Sequence, residues 1–144
     1  MSKLIFVIDD SPTVRKIVGI SLCRAGFQVL GFSDGVEAMR WLAGPTGRAP
    51  DLIVLDIGLP KMDGYEVARR FKEKPQFART VIVMLTRRDG LLDRLKGKLA
   101  GASEYMTKPF KTAELTVLVE QRLGVSIPSE QQDFLDGQAV FELA

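Results

Sequence analysis

Residues 52–56 have the sequence LIVLD, in which four apolar residues are followed directly by the carboxylate of Asp56. A continuous apolar run of strand length predicts a strand that is buried on both faces, as in a parallel sheet covered by helices. The acidic residue then lies at the carboxyl edge of that sheet. The stretch therefore predicts an α/β fold with a charged group at the end of a buried strand.

Three other largely apolar runs and one short mixed segment also predict strands, and they alternate with helical patterns. The strands that they predict cover residues 4–8, 27–32, 81–85 and 103–106, in addition to residues 52–55. The connections between these βα units are short. The alternation predicts a doubly wound, five-stranded parallel sheet, a (βα)5 fold with right-handed crossovers and helices on both faces.

The helices between the strands have recognisable ends. Acidic pairs three residues apart predict the starts of the second and third helices, and these pairs are Asp34 with Glu37 and Asp63 with Glu66. Leu92, Leu95 and Leu99 outline a fourth helix that begins near Asp89. Gly124 ends the last helix.

Composition limits the class of protein. The chain has 144 residues, 46% of them hydrophobic, which suits one ordinary globular domain. Because Cys23 is the single cysteine, an intramolecular disulfide is excluded, which agrees with a cytoplasmic location. Within a helix, Cys23 is expected to be a small buried residue. The first apolar run is too short for a signal peptide.

Charge gives further limits on partners. The formal net charge of +2 does not favour binding to nucleic acid or to an anionic membrane. The chain contains no histidine, so any histidine chemistry has to come from another protein.

Polar residues end the apolar runs at corresponding points. Asp9 and Asp10 follow the first strand, Asp56 the third, Thr86 the fourth and Lys108 the fifth. In a parallel α/β sheet these positions share the carboxyl edge, where such folds bind ligands. The pattern predicts that the five side chains converge on one crevice.

The residue types in this crevice suit phosphoryl chemistry. Clustered carboxylates repel each other unless a hard cation such as Mg²⁺ binds their oxygens. A lysine ammonium offsets further negative charge, and a threonine hydroxyl can donate to an oxyanion. Together these groups fit a phosphoryl group carried on an aspartate.

These residues and their flanking segments resemble the receiver domains of response regulators, the CheY-like superfamily. The matching motifs are Asp9-Asp10-Ser11, residues 56–64, Thr86 and Lys108-Pro109-Phe110. The resemblance covers roughly residues 3–124 and implies the strand order 2-1-3-4-5. It divides the chain into a receiver domain, residues 1–124, and a C-terminal tail, residues 125–144, which is either a frayed end or a short partner-binding helix.

The resemblance also implies a role for each site residue. Asp56 would be the phosphoacceptor, and Mg²⁺ would be held by Asp9, Asp10, Asp56 and the main-chain carbonyl of Gly58. Lys108 and Thr86 would contact the phosphoryl group. Thr86 and Tyr105 would form the switch, and the Lys108-Pro109 bond would be cis.

The implied protein is a single-domain response regulator and a signalling switch rather than an enzyme. A sensor histidine kinase or a His-containing phosphotransfer protein would supply the phosphoryl group. A downstream protein would bind the face formed by the fourth helix, the fifth strand and the last helix. The chain would be a monomer or a phosphorylation-dependent dimer. The segment 89–102 resembles receivers of the twitching-motility and type IV pilus group.

Three features depart from the family pattern or leave alternatives open. Arg87 stands where receivers prefer a small residue, and it either slows phosphate exchange, contacts the phosphate or points to solvent. Gly58 and Arg88 occupy positions that tune autodephosphorylation in relatives, so the phosphate lifetime is not predicted. The basic residues around the fourth helix are either a solvated face or a surface for an acidic partner, and they are Arg87, Arg88, Arg94, Lys96 and Lys98.

Other functions are compatible with parts of the pattern. A haloacid-dehalogenase-type phosphatase needs a second aspartate two residues after its nucleophile, where this chain has Gly58. A flavodoxin needs a phosphate loop after the first strand, where Asp9 and Asp10 would repel the FMN phosphate. The remaining alternative is a receiver-fold adaptor that signals by protein contact without phosphate.

Overall fold

The computed structural model describes residues 2–59, 61–87 and 91–124, which form one parallel sheet with helices on both faces. The strands are β1 (Leu4–Ile8), β2 (Gln28–Phe32), β3 (Leu52–Asp56), β4 (Val81–Thr86) and β5 (Glu104–Thr107). The helices are α1 (Pro12–Arg24), α2 (Gly35–Leu42), α3 (Gly64–Lys72), α4 (Leu91–Leu99) and α5 (Thr112–Leu123), with a short 3-10 turn at Pro75–Phe77. No helix of the described part is long and apolar enough to cross a membrane.

The strand order is β2-β1-β3-β4-β5, and every neighbouring pair is parallel. This confirms the predicted (βα)5 fold and its order. The register places Asp56 opposite Leu85, and Thr86 opposite Thr107. The carboxyl ends of β3, β4 and β5 therefore lie side by side at one edge of the sheet. Lys108 directly follows the end of β5.

Successive residues of each strand point to opposite faces of the sheet, so each strand contributes to two cores. Phe6, Ile53 and Met84 belong to the core under α2 and α3. The core under α1 and α5 is built mainly from the other alternate residues, which are Ile5, Val7, Val54, Val83 and Leu85. Burial on both sides explains why β1 and β3 are apolar throughout until Asp56.

The predicted helix caps are confirmed. The side chain of Asp34 accepts a hydrogen bond from the Glu37 N–H, and Asp63 accepts one from the Glu66 N–H, both at 2.9 Å. Helix α5 ends at Gly124, which has a left-handed conformation with φ of 68°. The Lys108-Pro109 peptide bond is cis, as expected.

Two structural details differ from simple sequence expectation. Cys23 is exposed, so the prediction that it is buried is wrong, because α1 packs inward through Val14, Val18 and Leu22 and turns residue 23 outward. Residue 27 is buried but precedes β2. Asp89, the expected start of the fourth helix, and the tail 125–144 lie outside the described residues.

Helix α4 is confirmed, but three of its leucines do not face the sheet. Leu92, Leu95 and Leu99 are exposed, whereas Gly97 is buried. A Cβ at Gly97 would lie 3.1 Å from Cδ2 of Tyr105 and 3.2 Å from Sδ of Met84. The glycine thus lets the helix backbone approach the sheet, and the leucine stripe faces away from it.

Candidate active site

A cleft of about 400 Å³ opens at the carboxyl edge of the sheet. The predicted residues that line it are Asp9, Asp10, Asp56, Gly58, Thr86 and Lys108. Arg87 also lines the cleft and is exposed. The structure therefore brings together every predicted site residue except Tyr105.

Three carboxylates form the floor and rim of the cleft. Asp9 is 2% exposed and Asp56 is 8% exposed, whereas Asp10 is exposed to solvent. One carboxylate oxygen from each of these residues lies within 4.8 Å of the other two. This oxygen-only donor set fits a hard divalent cation such as Mg²⁺, which takes a small number of carboxylates and keeps other positions for water or phosphate.

Asp9 is held by groups on two different elements. Its Oδ1 accepts a hydrogen bond of 2.9 Å from the Ser11 N–H at the start of α1. Its Oδ2 accepts one of 3.1 Å from Nζ of Lys108. The Arg15 guanidinium donates to the main-chain carbonyl of Asp9 at 2.7 Å. These contacts hold both the backbone and the side chain of Asp9 in place.

Asp56 has two close partners and an unfavourable environment for its charge. Its Oδ1 accepts a hydrogen bond of 3.2 Å from the Gly58 N–H and lies 3.7 Å from Nζ of Lys108. Burial raises the pKa of the Asp56 carboxyl, and the neighbouring charge of Asp9 raises it further, while Lys108 acts in the opposite direction. Any additional positive charge in the cleft would therefore stabilise the charged form of Asp56.

The backbone around Asp56 is fixed by α3 and β4. The Ile57 N–H donates to the Leu85 carbonyl at 3.2 Å, and the Gly64 N–H donates to the Ile57 carbonyl at 2.9 Å. A Cβ at Gly64 would lie 2.5 Å from the Asp56 carbonyl oxygen. Only glycine allows the start of α3 to approach the end of β3 this closely.

Lys108 reaches the cleft from the end of β5. The main-chain N–H of Lys108 donates to the Thr86 carbonyl at 2.6 Å, and this bond joins Lys108 to the end of β4. The lysine side chain is 8% exposed, so its ammonium is largely removed from water and lies between Asp9 and Asp56. A buried cation paired with two carboxylates is suited to neutralise an oxyanion there.

Tyr105 lies outside the cleft, on the half-buried face of β5. The guanidinium carbon of Arg94 is 5.3 Å from the centroid of its ring, a cation–π geometry. Gly97 of α4 lies against the same ring, and Met84 is the neighbour of Tyr105 on β4. Tyr105 thus connects β5 to helix α4 rather than to the acidic cluster.

Sequence reasoning missed two cations near the site. Arg15 binds the Asp9 carbonyl, and Lys61 pairs with Asp34 at 3.3 Å. Lys61 also has a positive φ of 67°, and its position inside the motif 56–64 was the only available signal. Nothing in the sequence around Arg15 distinguishes it from a solvated helix residue, since its partner is a main-chain carbonyl.

Comparison with known proteins agrees with the resemblance seen in the sequence motifs. Residues 5–120 match the family described as response regulator receiver domain. The chain is 37% identical over 145 residues to the alkaline phosphatase synthesis transcriptional regulatory protein PhoP of Bacillus subtilis, which covers 97% of this chain and 58% of PhoP. The chain therefore spans less than two thirds of that relative.

Two further similarities bear on the site and on the subgroup. Protein PilG of Pseudomonas aeruginosa is 37% identical over 77% of this chain and 80% of PilG, which supports the expected kinship with receivers of the pilus group. The receiver domain of sensor histidine kinase PA1611 from Pseudomonas aeruginosa PAO1 superposes with a TM-score of 0.73 at 29% identity, over 86% of this chain and 99% of that domain. That structure has a magnesium ion coordinated in its active-site cleft.

Proposed function

The chain belongs to the response regulator receiver domains, the phosphate-accepting modules of two-component signalling, and on this premise we propose that it accepts a phosphoryl group on Asp56. One observation carries the proposal. Three carboxylates have oxygens within 4.8 Å of one another, and the Lys108 ammonium lies 3.1 Å from Asp9 and 3.7 Å from Asp56. Such crowding disfavours the charged form of the carboxylates, and bound positive charge offsets this cost.

We propose that Asp9, Asp10, Asp56 and the carbonyl of Gly58 hold Mg²⁺. When bound, the ion would neutralise negative charge on the carboxylates and on the transferred phosphoryl oxygens. Asp10 is exposed and thus accessible to a hydrated ion, while Asp9 is buried and fixed by Ser11 and Lys108. Lys108 would then turn from Asp9 toward a phosphoryl oxygen.

The proposed reaction is an exchange of one bond at phosphorus. A carboxylate oxygen of Asp56 attacks the phosphorus of a phosphohistidine, an O–P bond forms, and the P–N bond breaks with its electron pair remaining on the imidazole nitrogen. The chain contains no histidine, so the donor is a sensor histidine kinase or a phosphotransfer protein. We expect the exchange to take place in the cytoplasm.

The proposed output runs from Thr86 to Tyr105. Thr86 is buried at the end of β4 and lines the cleft, so its hydroxyl can donate to an added phosphoryl oxygen. Tyr105 would then favour a more buried rotamer and lose its contact with Arg94. The face formed by α4, β5 and α5 would change shape, and a downstream protein would bind it.

Arg87 is the unusual feature of the site. It lines the cleft beside Thr86 and is exposed. A guanidinium there can contact an incoming phosphate in a bidentate manner or obstruct a hydrolytic water. We propose that it slows the loss of phosphate, and Arg87→Ala would then shorten the phosphate lifetime while leaving Asp56 as the acceptor.

Acetyl phosphate with Mg²⁺ tests the proposal. We expect one added phosphoryl group by intact mass and loss of that mass with hydroxylamine, which cleaves an acyl phosphate. Asp56→Asn should abolish the addition. Asp63→Asn is the matched control, since asparagine also caps a helix and the site is untouched.

Beryllofluoride with Mg²⁺ tests the response without chemistry. The amide NMR signals of Thr86 and Tyr105 should shift in the wild type and remain unchanged in Asp56→Asn. If the wild type neither takes up phosphate nor responds to beryllofluoride, the alternative function as a phosphate-independent adaptor is favoured instead.

A further inference from the structure

The outward face of helix α4 carries an apolar stripe. Leu92, Leu95 and Leu99 are 68%, 50% and 78% exposed, and among the described residues only Ile20 joins them as an exposed large hydrophobic side chain. Residues spaced by three and four lie on one side of a helix. Gly97 occupies the opposite side, against Tyr105 and Met84. Clustered exposed apolar groups of this kind mark interaction surfaces.

The same helix is basic. Arg94, Lys96 and Lys98 are its cations, and Asp93 is its one carboxylate. Asp93 is half-buried, and its carbonyl accepts a hydrogen bond from the Tyr65 hydroxyl. The three basic residues are exposed. A ligand for this surface therefore needs both apolar groups and negative charge.

The segment 125–144 of the same chain has that composition. It contains four carboxylates and no lysine or arginine. Its acidic residues are Glu130, Asp133, Asp136 and Glu142, and its large apolar residues include Phe134, Leu135 and Phe141. Asp133 and Asp136 flank Phe134 and Leu135, a pattern complementary to a leucine stripe flanked by lysines.

The last described residues, at the end of α5, lie at the same edge of the sheet as the end of α4. The guanidinium of Arg122, near the end of α5, donates to the Ser103 carbonyl at 3.2 Å and pairs with Glu104 at the start of β5. The Ala102 N–H donates to the Gly97 carbonyl at 2.9 Å, so α4 ends at the same edge of the sheet. Nine extended residues after Gly124 span roughly 30 Å, while α4 is about 13 Å long.

We propose that residues 125–144 dock on the outward face of α4 in the same chain, with Phe134 and Leu135 against the leucine stripe and the acidic side chains beside Lys96 and Lys98. The docking itself needs no phosphate. Its consequence rests on the proposed function, because a docked segment covers part of the α4-β5-α5 face and competes with a downstream protein for it.

Paramagnetic relaxation in the full chain tests the docking. A nitroxide is attached at Ala139→Cys in a Cys23→Ser background, and the amide signals of residues 92–99 are compared with and without reduction of the label. We expect these signals to lose most of their intensity, while the amides of α1 remain unaffected. The effect should weaken at high salt, because exposed charges are screened.

Charge exchange provides the specificity control. Lys96→Glu with Lys98→Glu should remove the intensity loss, and adding Asp133→Lys with Asp136→Lys should restore it. Both lysines are exposed, so the variants should fold, and unchanged dispersion of the remaining amide signals checks this.

Three outcomes would overturn the proposal. Intensity loss around Ile20 instead of α4 would place the segment on another surface. A second such result is that the amide signals lose intensity only when a nitroxide-labelled chain is mixed with a separate isotope-enriched chain. That result would mean that the segment binds a second copy. Absence of any loss would mean that no docking occurs. The Asp56→Asn variant should retain the effect, so failure of docking and failure of phosphorylation are distinguishable.

Discussion

Helices α3 and α4 have the same length, nine residues, and lie on the same face of the sheet, but they bury different kinds of side chain. Helix α3 buries Val67, Ala68 and Phe71 completely. Helix α4 approaches the sheet through Gly97 and exposes Leu92, Leu95 and Leu99. The first helix is part of the core, whereas the second is a surface element attached to it.

The two helices also relate differently to the acidic cleft. Helix α3 starts at Gly64, in contact with the Asp56 backbone, so its position fixes the carboxylate. Helix α4 contacts Tyr105 and Met84 at Gly97 and Tyr65 at Asp93, and none of its residues 92–99 lines the cleft. This difference agrees with the proposed switch, in which the site keeps its geometry while the proposed α4-β5-α5 face changes shape.

The largest effect is expected in the core of α3. Phe71→Ala should reduce the free energy of unfolding by about 3–5 kcal/mol, because it removes a fully buried ring that stacks on Phe77 at 4.9 Å. Urea denaturation measures the change. Leu99→Ala in α4 is the matched control and should change stability by less than about 1 kcal/mol. Equal losses in the two variants would contradict the difference between the helices.

A second test uses the glycine of each helix. Gly64→Ala should cost about 2 kcal/mol and weaken the response to beryllofluoride, because the new Cβ would meet the backbone of Asp56 and Ile57 at 2.5 and 2.7 Å. Gly97→Ala should change stability by less than about 1 kcal/mol, since its tight neighbours are side chains and alanine favours a helix. Thermal unfolding and NMR titration measure both. A larger loss for Gly97→Ala would show that α4 is the more constrained helix.

The charge of Asp56 should make the metal-free protein less stable as pH rises. Burial raises the pKa of Asp56 in the folded protein, so the folded state binds this proton more tightly than the unfolded state. Stability is therefore lost as pH rises from the unfolded pKa through the folded one. The free energy of unfolding of Asp56→Asn should exceed that of the wild type by roughly 1 kcal/mol at neutral pH. This difference should disappear in acid.

Two controls accompany the pH measurement. Glu73→Gln, at the exposed end of α3, should show no such difference between neutral and acid pH. Added Mg²⁺ should stabilise the wild type more than Asp56→Asn, by mass action on the folded state. Denaturation curves across the pH range would reject the argument if the wild type were the more stable protein at neutral pH without metal.

The smallest effect on stability is expected on the outward face of α4. Leu95→Ala should change the free energy of unfolding by less than about 1 kcal/mol, because half of the side chain is already exposed. The same change should reduce the relaxation effect of a label on residue 139. A loss of several kcal/mol in guanidinium denaturation would instead mean that Leu95 is a packed core residue.

The carboxyl-edge site was predictable from the sequence for a simple reason. In a parallel sheet, the residue that ends each apolar run lies at one common edge, so Asp9, Asp56, Thr86 and Lys108 are brought together by topology alone. Arg15 was not predictable, because its bond to the Asp9 carbonyl depends on how α1 packs beside β1. The same limit applies to Lys61 and its pairing with Asp34.

The sequence by itself determined the order of strands and helices along the chain and the caps of α2 and α3. It also determined that carboxylates, a lysine and a threonine converge on one crevice. Only the tertiary structure decided that Leu92, Leu95 and Leu99 face outward and that Cys23 is exposed. Periodicity shows which residues share a side of a helix, but it does not show which side a neighbour covers. That choice depends on contacts between distant segments, here the close approach of Gly97 to Tyr105 and Met84.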